Sequence, residues 1–191
     1  MAAKRGLFLL EYRMKIKFVK THPDAVIPTR GSAGAAGFDL TAVSLKRAAD
    51  LYIYDIGIAM EIPEGYFAAI FPRSSIFFTG LELTNCVGVI DSDFRAPISA
   101  IFREVPGDQH ARRLALHPLF PGKTGLMHPY RPGDRIAQRI IQPCVVPVQH
   151  LKHGEFYIQK MPVSLEPIEF VETDELTKSA RGCQGYGSTG R

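Results

Sequence analysis

The 191-residue sequence has few cysteines, no long hydrophobic run and no block of charge of one sign. Cys86, Cys144 and Cys183 are widely separated and form no C-x-x-C pair. This spacing favours reduced thiols in an intracellular, cytoplasmic protein over a disulfide framework. The apolar run nearest the N-terminus, LFLL, is shorter than the apolar part of a secretory signal and far shorter than a membrane span, so we expect no membrane partner.

The basic residues are scattered along the chain, although the formal net charge is +4. A small positive charge suits an anionic small molecule as well as simple solubility. A dedicated nucleic-acid surface would require clustered lysine and arginine. The sequence therefore favours a small anionic substrate over stable nucleic-acid binding.

Several common catalytic signatures are missing. The six histidines include no H-E-x-x-H pair and no Cys/His set, and the chain contains no G-x-S-x-G. Zinc-dependent and serine-hydrolase chemistry therefore lack local support. Gly185, Gly187 and Gly190 have the spacing of a dinucleotide-binding loop, but only one residue follows Gly190. No helix can begin there to hold a pyrophosphate, so the dinucleotide interpretation fails.

Glycine and proline are abundant, with 17 and 14 residues, and 46% of the chain is apolar. Such a composition favours one all-β domain of short strands and tight turns, with enough apolar residues for a core. The pattern predicts a strand from Met14 in MKIKFVK, a turn at PEG and a strand buried on both faces in YFAAIF. Further strand candidates are CVGVI, PISAIF, RIAQRII and CVVPVQH.

The clearest alternation lies in YIYDIGIAMEI. Every second residue from Tyr52 to Ile62 is apolar, and Asp55, Gly57 and Glu61 occupy positions between them. Period two is typical of a half-buried antiparallel strand. We therefore expect one strand through this segment.

The domain boundaries follow from the ends of the patterned region. Residues 1–13 are interpreted as an N-terminal extension that is a candidate for disorder, and Met14 is an alternative start. Residues 14–180 form the predicted β domain, with a loop insertion at about 104–127 that includes a short helix in DQHARRLALHP. Residues 181–191 form a glycine-rich C-terminal arm.

The densest group of functional side chains is LTNCVGVIDSDFR. Asp91 and Asp93 project to the same side if the backbone is extended there. A carboxylate at the end of a buried strand is suited to general-base catalysis, and a pair of carboxylates is suited to a hard metal ion. Asp and Ser are also common in hairpin turns, so a purely structural role for this segment stays open.

A second candidate, FPRSSI, offers a cation and two hydroxyls on a turn after a buried strand. The guanidinium of Arg73 matches the geometry of phosphate oxygens, and serine hydroxyls or free amides can complete an anion site. A structural ion pair of Arg73 is the alternative. Gln138 in GDRIAQRII is either a ligand contact or an outward polar residue.

In order along the chain, AGFDL, PRSS, NCVGVIDSDFR, GDRIAQ and RGCQGYGSTG resemble the five motifs of the homotrimeric dUTPase family. The resemblance implies a jelly-roll-like β-barrel and hydrolysis of dUTP to dUMP and pyrophosphate, with Mg²⁺ held mostly by the triphosphate. Such an enzyme limits uracil entry into DNA and supplies dUMP for thymidylate synthesis. The resemblance also implies a homotrimer with active sites at subunit interfaces, each closed by a neighbouring chain's arm.

The same resemblance implies roles for residues around the base and sugar. Asp91 corresponds to the carboxylate that activates the attacking water. Asn85 and the backbone around Gly88 and Val89 correspond to the hairpin that reads uracil and rejects the methyl group of thymine. Phe94 replaces the family's usual tyrosine beneath the deoxyribose and keeps the apolar ring.

For the phosphates, the resemblance implies contacts from Arg73, Ser74 and Gln138, and Gln138 also helps to position the water. Ser75 is grouped with these substrate contacts, and Arg73 and Gln138 count with Asp91 as the catalytic set. Asp39 in AGFDL corresponds to a residue near the water shell of the metal, with a structural turn role as the alternative.

In the arm, the resemblance implies that Tyr186 stacks on uracil. Arg181, Ser188 and Thr189 correspond to groups around the β- and γ-phosphates, and Gly187 lies among them as a substrate contact. Base stacking of this kind contributes about 1 to 3 kcal/mol, enough for a ligand to order a mobile arm.

The sequence departs from the family pattern in three places. Gln184 stands at a usual glycine, FRAP places Ala96 at a turn glycine and Pro97 where a strand amide usually pairs, and regions 104–127 and 150–164 are longer than in compact members. Two alternatives stay open. One is a dCTP deaminase or bifunctional deaminase of the same fold, and the other is a nucleotide-binding regulatory protein acting through the 104–127 insertion.

Overall fold

The computed structural model describes residues 14–107, 128–144 and 168–184. These residues contain eleven strands, one 3-10 helix and no α-helix, so the predicted all-β class is confirmed. The strands are β1 (Met14–Lys20), β2 (Phe38–Thr41), β3 (Ser44–Ala48), β4 (Leu51–Asp55), β5 (Ile58–Glu61), β6 (Tyr66–Pro72), β7 (Leu81–Leu83), β8 (Gly88–Ile90), β9 (Ser99–Glu104), β10 (Arg135–Pro143) and β11 (Ile168–Glu172). The 3-10 helix spans Ser74–Phe78.

The strands form three sheets, in the orders β11-β1-β5, β2-β10-β6-β8 and β3-β4-β9-β7. Every neighbouring pair is antiparallel except β1 and β11, which are parallel. The second sheet positions most of the candidate site, because it contains Asp39 on β2, Gln138 on β10 and Gly88 on β8.

The core lies between the sheets and is built from the alternating apolar residues. Ile16 and Phe18 of β1 are fully buried while the neighbouring Lys15 and Lys17 are exposed, which confirms the strand predicted from Met14. Ala68, Ala69 and Ile70 are buried in succession, as expected for a strand covered on both faces. The predicted turn at PEG is also present, with the amide of Tyr66 bonded to the carbonyl of Pro63.

The single strand predicted for residues 52–62 is wrong, although every second residue is buried as predicted. The segment divides at Gly57 into β4 and β5, which belong to different sheets. Gly57 has φ +71°, and a Cβ there would lie 2.9 Å from the Cβ of His22. The Asp55 carboxylate accepts a 2.7 Å hydrogen bond from the Gly57 amide and stabilises the change of direction. Hydrophobic alternation alone does not reveal a positive φ.

Arg139 is an unexpected member of the core. Its side chain is 0% exposed, and its guanidinium lies 4.9 Å from the ring centroid of Phe170. None of its three side-chain nitrogens has a hydrogen-bond partner in the described residues. Burial lowers the pKa of Arg139 well below its ordinary value, to about 9. The aromatic ring is therefore its main favourable contact.

Several predicted elements lie outside the described residues. These are the N-terminal extension, the short helix in the 104–127 insertion, nearly all of CVVPVQH, all of region 150–164, and the end of the arm from residue 185. In the described part of the chain, no helix has the length and hydropathy needed to cross a membrane.

Candidate functional site

One half of the candidate site is a group of charges at the end of β6, which we call the arginine cluster: Asp39, Arg73 and Arg135. The carboxylate of Asp39 is only 7% exposed. Its Oδ1 lies 3.0 Å from Nε of Arg73, and its Oδ2 accepts a 3.0 Å hydrogen bond from Nη1 of Arg135. One carboxylate thus holds two guanidinium groups, so the cluster carries a net positive charge that suits an anion. Arg73 therefore does form the structural ion pair that was the alternative to a phosphate contact, and its partner is Asp39.

The 3-10 helix follows Arg73 directly and carries both serines of PRSS. Arg73 occupies its N-cap position with extended backbone angles. The hydroxyl of Ser75 is hydrogen-bonded to the hydroxyl of Tyr130 at 2.9 Å, so it faces the protein. Ser74 is exposed. Of the two hydroxyls, Ser74 is therefore the better placed for a ligand.

Gln138 lies next to this cluster through strand pairing. Its Cα partners are Asp39 on β2 and Phe71 on β6, and its side chain is half-buried. The positions flanking it, Ala137 and Arg139, are fully buried on the opposite face. The sheet therefore places Gln138 on the face that does not contribute to the core.

The other half of the site is a cavity of about 300 Å³ beside β8 and the loop that joins β7 to β8. Its lining consists of apolar side chains with three polar ones: Ile70, Asn85, Val87, Gly88, Val89, Ile90, Phe94, Ser99 and Arg181. A Cβ at Gly88 would lie 3.2 Å from the Cβ of Ile70, so this glycine permits close approach of β8 to β6. Five of the lining residues were expected to bind substrate: Asn85, Gly88, Val89, Phe94 and Arg181.

Asp91 and Asp93 lie on a turn rather than on an extended segment. The amide of Phe94 donates to the carbonyl of Asp91 at 3.2 Å, so the condition for projecting both carboxylates to one side is not met. The turn interpretation therefore holds for the backbone, and it leaves the Asp91 side chain 44% exposed. Its Oδ2 forms an ion pair with Nη1 of Arg181. Arg181 also lies over the ring of Phe94, 5.8 Å from the centroid.

Residues 177–184, here called the arm root, are attached to this turn by polar contacts. The hydroxyl of Ser179 donates to the carbonyl of Asp93 and accepts from the amide of Gly182. The amide of Arg95 donates to the carbonyl of Gly182 at 2.8 Å. Gln184 closes the turn that contains Gly182, because its amide donates to the Arg181 carbonyl at 3.2 Å. The departure at Gln184 is therefore compatible with an ordered turn.

The side chain of Arg95 also joins the arm root to the turn that carries Asp91. Its guanidinium donates to the carbonyls of Ser92 at 2.6 Å and Thr177 at 3.0 Å. Pro97 lies two residues before β9, and pairing with β4 begins at Ser99. The missing amide of Pro97 thus removes no bond from that ladder.

The structure therefore arranges the expected residues in two groups. Arg73, Gln138 and Asp39 form one group, while Asn85, Asp91 and the cavity residues form the other with Arg181. Within the described residues, no hydrogen bond or ion pair links the Asp91 carboxylate to the first group. Tyr186, Gly187, Ser188 and Thr189 lie outside the described residues.

Sequence reasoning missed three residues of these groups. Arg135 was visible inside GDRIAQ, where a basic residue beside Gln138 was a usable signal. Arg95 was visible inside NCVGVIDSDFR, but its contacts to main-chain carbonyls of the arm root are long-range. Tyr130 carried no signal, because its partner Ser75 is 55 residues away.

The donor set was also compared with the needs of a metal ion. In residues 14–107, 128–144 and 168–184, no group of three His, Cys, Asp or Glu residues has the arrangement of a metal site. Both oxygens of Asp39 are engaged by arginines.

Comparison with known proteins gives a consistent family. The family model described as dUTPase matches residues 23–105. The chain is similar to the deoxyuridine 5'-triphosphate nucleotidohydrolase of Wolinella succinogenes, with 31% identity over 94% of this chain and 96% of that protein. It is 32% identical to the same enzyme of Yarrowia lipolytica, over 93% of this chain and 90% of the relative.

Solved structures show the same fold. The dUTPase of Staphylococcus bacteriophage 80alpha, solved with dUPNHPP, has a TM-score of 0.54 at 20% identity, covering 92% of this chain and 98% of that one. A variant dUTPase from phage phi11 of S. aureus, described with a structural Mg(II) ion, has a TM-score of 0.53 at 20% identity over 75% of this chain and 98% of that one. The predicted jelly-roll-like fold is thereby confirmed.

Proposed function

The chain belongs to the dUTPase family and is a dUTP diphosphatase, and from this premise we propose how its residues hydrolyse dUTP to dUMP and pyrophosphate. One observation carries the assignment: Asp91 and Arg181 are paired beside the cavity that Asn85, Gly88 and Phe94 line. A half-exposed carboxylate next to a nucleoside-sized cavity is suited to accept a proton from the attacking water. Asp91 is therefore the general base.

The cavity holds the nucleoside. Asn85 and the backbone at Gly88 and Val89 read the edge of uracil and reject the methyl group of thymine, and Gly88 lets β8 approach β6 closely in this wall of the cavity. Phe94 packs beneath the deoxyribose. Its apolar ring would leave a ribose 2′-hydroxyl without a partner, which disfavours ribonucleotides.

The arginine cluster receives the phosphate chain. Asp39 orients Arg73 and Arg135 before the substrate arrives, so little reorganisation is needed when the triphosphate binds. Ser74 supplies a hydroxyl at the start of the 3-10 helix. Because the Ser75 hydroxyl is bonded to Tyr130, Ser75 contacts the substrate through its backbone. Gln138, on the same sheet face, orients the water.

Arg181 has two successive partners in this proposal. In the structure it neutralises Asp91. When the triphosphate binds, its guanidinium turns to the phosphates and releases the carboxylate for the water. Further along the arm, Tyr186 stacks on uracil, and Gly187, Ser188 and Thr189 close over the phosphates, so the arm acts as a lid.

Mg²⁺ is the proposed cofactor, and it neutralises charge on the triphosphate when bound. Asp39 is its candidate protein contact, through the water shell, because both carboxylate oxygens already hold arginines. The residues of the chain therefore bind the phosphates and position the water.

We further propose a homotrimer with active sites at subunit interfaces. The observation in favour is that Asp91 and the arginine cluster form separate groups within one chain. In a trimer, a neighbouring chain can supply the group that one chain lacks. The three exposed free cysteines support a reducing cytoplasmic location.

The substrate assay tests this function. Purified protein is incubated with dUTP or dCTP, with and without Mg²⁺, and pyrophosphate and ammonia are measured. We expect pyrophosphate and dUMP from dUTP only, with much lower rates without Mg²⁺. Ammonia from dCTP with dUTP left intact would instead identify a deaminase of the same fold.

A further inference from the structure

Tyr130 is locked in the core immediately before the loop that leads into β10. It is 6% exposed. Its ring makes edge contacts with Tyr54 and Phe102, with centroids 6.3 and 5.9 Å away. The hydroxyl of Tyr54 donates to the main-chain carbonyl of Tyr130 at 2.9 Å. Both the ring and the backbone are therefore held in one orientation.

The hydroxyl of Tyr130 reaches the turn that carries the proposed phosphate contacts. It lies 2.9 Å from the Ser75 hydroxyl, which belongs to the 3-10 helix after Arg73. This helix has no buried residue, and the side chain of its N-cap residue, Arg73, forms no capping hydrogen bond. The Tyr130 hydroxyl thus joins the core to a turn that contributes no buried side chain of its own.

Tyr130 also begins the loop that leads to Arg135, the second arginine proposed to bind phosphate. The amide of Arg131 is bonded to the Asp134 carboxylate at 2.7 Å, which shapes the loop that ends at Arg135. On the far side, Nη1 of Arg73 donates to the carbonyl of Arg135 at 3.4 Å. Two separate contacts therefore join the 73–78 turn to the 130–135 loop.

We propose that Tyr130 is a positioning residue for the triphosphate, which acts through Ser75 by fixing the turn that presents Arg73 and Ser74. The proposal rests on the phosphate roles given above. Filling the core would need only an apolar ring, whereas a buried hydroxyl is costly unless it is bonded. Burial raises the pKa of Tyr130 despite opposing effects of Ser75 and Arg73, so its hydroxyl stays neutral and bonded at neutral pH.

The test compares ligands that differ in the number of phosphates. Tyr130→Phe removes only the hydroxyl, and Tyr52→Phe is the matched control, because Tyr52 is equally buried but its hydroxyl bonds to Glu104 and Arg47. Affinities for dUMP and dUPNHPP, and kcat and KM for dUTP, are measured well below the Tm of each variant.

We expect Tyr130→Phe to weaken dUPNHPP binding about 2- to 12-fold, the worth of one hydrogen bond, and to raise the KM for dUTP, with dUMP affinity unchanged. Ser75→Ala should have the same effect, and the double variant should be no worse than either single one. Tyr52→Phe should change neither affinity.

Two results would overturn the proposal: dUPNHPP affinity of Tyr130→Phe equal to that of the unaltered protein, or equal losses for dUMP and dUPNHPP. Additive losses in the double variant would also overturn it, because the two hydroxyls would then act independently. Failure of the proposed function itself is distinguishable, since the unaltered protein would release no pyrophosphate from dUTP.

Discussion

The two halves of the site are supported in different ways. The arginine cluster is tied to the buried carboxylate of Asp39, and the adjacent turn is tied to the buried ring of Tyr130. The base side depends on Asp91, which is half-exposed, and on an arm root attached mainly through hydrogen bonds to main-chain carbonyls. Charge that must be in place before the reaction is thus held by a buried carboxylate, and the carboxylate that must exchange partners is half-exposed.

This difference has an energetic basis. Buried, mutually bonded groups are preorganised and need little rearrangement when phosphate charge arrives. Exposed ion pairs contribute little to stability, so the pair of Arg181 with Asp91 can be exchanged at small cost. We therefore expect substitutions on the base side to change catalysis with little effect on stability, and substitutions in the arginine cluster to change both.

The largest expected effect is that of Asp91→Asn. Because Asp91 lies on an exposed turn, the variant should keep its Tm and its affinity for dUPNHPP, while kcat falls about 10²- to 10⁴-fold with loss of the base. Asp93→Asn, in the same turn, is the control and should retain most activity. Near-normal kcat for Asp91→Asn would exclude it as the base.

Removal of the arm also tests the base side of the site, through the residues proposed to act as a lid. Deleting residues 181–191 should lower kcat/KM about 10²-fold or more, with little change in Tm, because Arg181 pairs with a carboxylate at the surface and not in the core. A shorter deletion, of residues 185–191, leaves Arg181 paired with Asp91 and separates the role of this arginine from that of Tyr186. Unchanged turnover in both proteins would show that the arm does not close the site.

Asp39→Asn tests the phosphate side, where stability and binding should change together. Loss of one buried charge that holds two arginines should lower the free energy of unfolding by about 1 to 3 kcal/mol and raise the KM for dUTP. The control is Glu82→Gln, which breaks the exposed pair with Arg103, and its effect should be below about 1 kcal/mol. The free energies of unfolding are measured by chemical denaturation. Equal losses for Asp39→Asn and Glu82→Gln would show that the phosphate side is not tied to the core through Asp39.

The smallest expected effect concerns the anchor of the arm root on β5. Partial burial would raise the pKa of Glu61, but hydrogen bonds from the amide and hydroxyl of Thr177 and the charge of Lys17 lower it below its ordinary value of 4.5. A lowered folded-state pKa contributes stability above the unfolded value that is lost as pH falls through the folded value.

The Tm difference between the unaltered protein and Glu61→Gln should therefore be present at pH 7 and should shrink below about pH 4. Thermal melts of both proteins across this range give the measurement. A difference that stays constant with pH would show that the Glu61 carboxylate does not anchor the arm root.

Local patterns predicted the elements better than the contacts between them. Ile16 and Phe18 revealed β1 because alternation reports directly on burial. The five motifs identified the family and thereby the proposed site residues. The link between Ser75 and Tyr130, and the two arginines on Asp39, depend on how distant strands pair, which no local pattern encodes. Arg139 was expected in a strand but not in the core, since a buried arginine contradicts the rule that predicts burial.

The change of direction at Gly57 also bears on how the molecule folds. β4 and β5 are separated by two residues in sequence but belong to different sheets, so neither can acquire its partners without constraining the other. The amide of Ile56 binds the carbonyl of Ile98, and the amide of Ile98 binds the carbonyl of Ile58, which adds the approach to β9 to the same junction. Formation of two sheets is thereby coupled at a single point, and a side chain at residue 57 would strain both sheets at their junction without touching any group that contacts substrate.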